Sequence, residues 1–91
     1  MTVVMNKGDL AFLDTLCNGL VPLKVLRIEN DVRQDGKPVK HVVAIVTANR
    51  GPYRRGDVVT TEGSGCIVPR AAVRRFPGKV WPTILPFTVG V

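Results

Sequence analysis

The chain has 91 residues, 13 Lys plus Arg against 7 Asp plus Glu, one His, two Cys and 45% hydrophobic residues. A chain this short forms one core and leaves no room for a second catalytic lobe, which excludes large enzyme architectures. Its 16 Val, 4 Ile and 7 Thr stand in runs punctuated by Gly and Pro, the pattern of short strands joined by tight turns and not of disorder.

In chain order, Met1 to Asn6 lack the charged and apolar regions of a secretory leader, so none is expected. Two readings then compete for residues 9–20. In one, Asp9 caps a helix with Leu10, Leu13, Leu16, Cys17 and Leu20 on one side and Gly19 at its end. In the other, Leu10 to Leu13 is a first strand and Asp14 to Gly19 a polar loop. The strand is preferred, because the next segment is strand-like. After Pro22, residues 24–29 alternate, with Leu26 and Ile28 on one face and Arg27 and Glu29 on the other. Asp35-Gly36 marks a reversal, so residues 22–47 read as a hairpin. Val39 to Ala48 is apolar on both faces after Lys40 and His41, as a central strand covered from two sides should be. Asn49 to Gly56 is a basic turn and Asp57 to Thr61 the next strand. Glu62 to Gly65 turns the chain again. Cys66 to Val68 is a short strand stopped by Pro69, with one helical turn through Arg70 to Val73. The expected fold is all-β: a small five-stranded barrel over residues 1–75, with a short helical turn.

Residues 76–91 differ from all that precedes. They hold the only Trp, two of three Phe, and Pro77, Pro82 and Pro86, so an extended apolar tail is expected that cannot be a central strand. Phe76, Val80, Trp81, Ile84, Leu85 and Phe87 are its candidate docking residues, since such a surface should not stay in water. The partner is another protein or a copy of the chain.

Charge is unevenly spread along the chain. Residues 1–49 are nearly balanced, residues 50–79 carry seven basic and two acidic side chains, and residues 80–91 carry none. Arg50, Tyr53, Arg54 and Arg55 share one turn, and Arg70, Arg74, Arg75 and Lys79 follow the last barrel strand. Brought to one side, they form an alternative nucleic-acid-binding face, with phosphates on the cations and a base on Tyr53.

Catalytic and ligand motifs are sparse. His41 is the only imidazole and Ser64 the only serine; they read as a solvent-facing strand residue and a turn residue, so no enzyme is expected. No phosphate-cradling glycine motif occurs. Asp9, Asp14, Asp31 and Asp35 match no calcium-loop spacing and read as turn and cap residues. Cys17 and Cys66 stand alone, short of a zinc ligand set, and read as small apolar residues of a reducing cytoplasm. No cofactor, metal or small-molecule substrate is expected. No segment reaches the roughly 18–20 apolar residues that cross a bilayer, so no membrane partner is expected either.

Taken together, Gly8 to Ala11, Gly19 to Val25, Val46 to Val58 and Ile67 to Arg70 resemble a small SH3-like barrel, over about residues 7–75. The texture is similar to short barrel proteins encoded by bacteriophages and related mobile elements. The resemblance implies an opening strand after Gly8-Asp9, a long first loop, and a last strand reached through a helical turn. It implies a setting in a virion or the cytoplasm of a bacterial host. It carries over no functional residues, because such barrels host peptide binders, nucleic-acid binders and structural parts alike. Phe12 and Tyr53 are the only aromatics within that span, too few for the aromatic groove of a PxxP-binding domain.

Overall fold

A computed structural model describes residues 2–62, 66–83 and 85–90, so the turn at Gly63 to Gly65, the docking candidate Ile84, and Met1 and Val91 lie outside the described residues. The chain is all-β. Its strands are β1 (Val3–Met5), β2 (Leu10–Thr15), β3 (Gly19–Val32), β4 (Pro38–Val46), β5 (Val58–Glu62), β6 (Ile67–Pro69), β7 (Val73–Phe76), β8 (Lys79–Pro82) and β9 (Phe87–Val89). One 3-10 turn, Arg70–Ala72, separates β6 from β7.

Five strands form one sheet in the order β5-β4-β3-β2-β6. Residues 9–20 resolve in favour of the strand. β2 runs on to Thr15, and the Leu16 to Asn18 turn feeds directly into β3, with Thr15 opposite Gly19. The long first loop is therefore absent. The Thr15 hydroxyl explains the tightness, donating to the Gly19 carbonyl at 2.7 Å and accepting from the Asn18 N–H at 3.0 Å. β3 and β4 form the expected hairpin. Its turn is closed by Gly36 N–H to the Arg33 carbonyl at 2.9 Å, with Asp35 accepting from the Lys37 N–H at 3.0 Å. β4 is central, between β3 and β5.

The core lies on one face of this sheet. Ala11, Val21, Leu23, Val25, Val42, Ala44, Val46 and Ile67 are buried there. Each Val, Leu or Ile among them contributes about 1.5–3 kcal/mol by leaving water. The opposite side of the core is covered by the chain ends. β1 pairs with β9 in parallel, Met5 is fully buried, and Phe87 and Val89 pack on the cluster. Lys40, on β4, donates from Nζ to the Val89 carbonyl at 3.0 Å and ties β9 down.

Two expectations about strand geometry need correction. Leu26 and Ile28 do not share a face. The β3–β4 register shifts between Val25 and Arg27, so Leu26 is the extra residue of a β-bulge and is exposed, while Val25 and Ile28 both point to the core. The barrel, too, is not closed. Closure requires the end strands to pair, and among the described residues β5 and β6 share no ladder. β6 has only three residues and, among the described residues, pairs with β2 alone, so it stays an edge strand.

Residues 73–82 form a separate two-stranded arm, β7 with β8. Residues expected as an extended apolar tail form the second half of a hairpin and then β9, and the boundary placed between residues 75 and 76 falls inside β7. Pro77-Gly78 makes the reversal: proline presets the first turn residue, and Gly78 takes a φ of 74° that other residues adopt only under strain. The arm is rooted where the Thr83 N–H donates to the Ala72 carbonyl at 2.7 Å.

Candidate functional site

The arm has two faces, set by its register. Residues directly opposite each other in an antiparallel pair share a side, so Val73, Pro82, Arg75 and Val80 form one face, and Arg74, Trp81, Phe76 and Lys79 the other.

The first face looks onto a cleft of ≈ 930 Å³. Its other wall comes from the outer side of the sheet, where Phe12 pairs with Pro22 and Leu10 lies in line with them. Arg50, Arg70 and Arg75 stand around it, from three segments: the loop after β4, the 3-10 turn and β7. Among the described residues no carboxylate lines the cleft. Among the described residues the cation–carboxylate contacts are Arg27 with Glu29 and His41 with Asp31, so none of the three arginines is neutralised by a neighbour.

The position of Arg50 follows from local backbone chemistry. Arg50 and Tyr53 exchange N–H to carbonyl bonds at 2.9 Å each, pinching Gly51-Pro52 into a tight loop. Gly51 has a φ of 55°, and a Cβ there would overlap the Asn18 side chain, so the loop sits hard against the β2–β3 turn. Asn18 and Arg50 thereby meet at one end of the cleft.

The second face points away from the body. Phe76 and Trp81 are each 48% exposed. The Lys79 ammonium lies 5.4 Å from the Trp81 ring centroid, within cation–π range. Lys79 borders the cleft, yet its charge belongs with this outer face.

The eight basic-face candidates therefore divide. Arg50, Arg70 and Arg75 converge on the cleft; Arg74 and Lys79 flank the exposed aromatics. Arg54 and Arg55 stay on the 51–57 loop, which is held by Asp57 and Asn49 accepting from their backbone N–H groups at 2.9 Å. Tyr53 is half-buried against the core, which removes it as a free stacking platform. The docking candidates divide as well. Phe76 and Trp81 face outward, Val80 faces the cleft, Leu85 is exposed, and Phe87 is spent on the core.

Other motifs resolve into local roles. His41 sits within β4, half-buried, its Nε2 3.4 Å from Asp31 Oδ2, with Glu29 and Glu62 opposite it on the neighbouring strands. Asp9 accepts from the Asn6 N–H at 2.8 Å, as a turn residue does, whereas Asp31, expected in a turn, lies in β3 opposite Val39 and accepts from the Val32 N–H at 2.7 Å. Cys17 and Cys66 are free and both exposed. Among the described residues no cluster of three His, Cys, Asp or Glu side chains is placed to hold a metal, and no helix is long and apolar enough to cross a membrane.

Sequence reasoning missed the apolar wall formed by Leu10, Phe12, Pro22 and Val73. The arm itself had a readable signal in Pro77-Gly78, a turn dipeptide between two short alternating segments. No known protein family, no curated protein and no solved structure matches the chain.

Proposed function

We propose that this chain is a non-enzymatic interaction and assembly module whose docking element is the β7–β8 arm. The observation that carries the reading is the arm's outer face, where Phe76 and Trp81 lie half-exposed on a two-stranded hairpin that no third strand supports. An isolated hairpin is marginal in water, and aromatics of this size are the usual anchors of protein interfaces. Surface area points the same way. The chain exposes 6196 Å², against about 5,200 Å² for a compact chain of 9.9 kDa, and the excess is close to one partner's share of a standard interface. The strand order, with the last sheet strand returning beside the first, supports reading the body as an open variant of an SH3-like barrel. The setting that accompanies this reading is a phage particle or the cytoplasm of its bacterial host.

Light scattering on a sizing column tests it. The expected mass is a multiple of the monomer, or a complex with a second protein, and the Phe76→Ser, Trp81→Ser double variant should run as a folded monomer. An unchanged mass and unchanged partner binding in that variant would sink the reading.

One observation favours a second reading, nucleic-acid binding. Arg74 and Lys79 flank Trp81 and Phe76, which places cations beside rings on which bases stack. Its signature is an affinity that falls steeply with salt, and loss of binding on charge reversal of Arg74 and Lys79.

A further inference from the structure

Resting on the interaction-module reading, we infer that the cleft between the arm and the sheet is a second, separate site that takes an extended acidic segment of a partner protein, with apolar residues alternating with carboxylates. Three features of the lining specify that chemistry. Arg50, Arg70 and Arg75 reach the cleft from three segments, and no carboxylate lies among its lining residues. Unpaired arginines from three segments along one cleft can each match a carboxylate in planar, two-pronged geometry. Between them the walls are apolar, with Phe12 on the sheet side and Val80, 41% exposed, on the arm side. Val80 faces the body and still keeps much of its surface, so the space beside it is unfilled. An extended segment places alternate side chains on opposite sides, which sets apolar groups on the walls and acidic groups on the arginines.

Nucleic acid fits the same charge less well. Single strands are held by rows of aromatic rings along a basic groove, and this cleft has one ring, Phe12, among aliphatic walls. The aromatics suited to stacking, Phe76 and Trp81, are on the arm's other face.

Fluorescence anisotropy tests the inference with a labelled peptide of about ten residues in which Glu alternates with Leu and Val, long enough to span the cleft at ~3.3 Å per residue. The full chain should bind it, and binding should weaken with salt. The Arg70→Glu, Arg75→Glu double variant should bind about tenfold more weakly, a loss near 1.4 kcal/mol. Val80→Ser should weaken binding several-fold, and Arg33→Glu, on the β3–β4 turn, should leave it unchanged. An unaltered circular dichroism spectrum shows that each variant is folded. Trp81→Ser should abolish association through the arm and still bind the peptide, which separates this site from the docking face. The inference is overturned if oligothymidylate of equal charge binds more tightly, if polyglutamate without apolar residues binds equally well, or if Arg70→Glu with Arg75→Glu has no effect. A chain that associates through Trp81 and ignores the peptide overturns the cleft alone.

Discussion

The five-stranded sheet and the β7–β8 arm are built from the same residue types and treat them oppositely. Val21, Val25, Val42 and Val46 keep 1% or less of their surface, whereas Val80 keeps 41% and Phe76 and Trp81 48%. The difference is not hydrophobicity. The inward side chains of β2, β3 and β4 have strands on both sides and the β1–β9 pair across from them. Among the described residues the arm has one ladder, two open edges and no layer on its outer face. Burial is conferred by an opposing layer, and over the arm's outer face the described residues supply none.

If the sheet is a core and the arm a docking element, substitutions in the two should separate stability from association. The largest effect is expected in the core. Leu23→Ala should cost about 2–5 kcal/mol, read from the denaturant midpoint, because a fully buried side chain leaves a cavity. Gly51→Ala should cost about 1–3 kcal/mol, since it forces a side chain into positive φ and against Asn18. Displacing Arg50, it should also weaken any ligand of the cleft; a variant as stable as the parent would show that the loop yields freely. Lys40→Met removes the tie between β4 and β9 and should cost about 0.5–1.5 kcal/mol, with faster amide exchange at Val3 to Met5 as the local readout. Trp81→Ser should change monomer stability least, within about 0.5 kcal/mol, while abolishing association. Equal costs for Trp81→Ser and Leu23→Ala would dissolve the contrast between the two regions.

Much of the sheet was legible because its signals are local. Asp35-Gly36 and the Pro69 stop each act within a few residues, and the strands obey them. Leu26 shows where local reading fails. Simple alternation pairs it with Ile28, but a single extra residue in β3 reverses the faces, and no neighbour in sequence announces a bulge. The β1–β9 pairing joins residues more than eighty positions apart in parallel, which a pattern scan does not see. The site was half legible. The types of its residues, arginines and exposed aromatics, stood out. Their division into a cleft set and an outward set depends on the alternation of a hairpin whose prolines read as those of a tail.

A β-rich chain, the positions of its central hairpin and the basic, aromatic character of its second half all stand in the sequence, because β-branching, turn chemistry and charge act over short range. Tertiary packing was needed to settle that the sheet stays open, that β1 and β9 cover the core together, and that Arg50, Arg70 and Arg75 line one cleft. Those outcomes depend on which distant segments share a ladder, and ladder partners are chosen by packing and backbone hydrogen bonding across the whole chain.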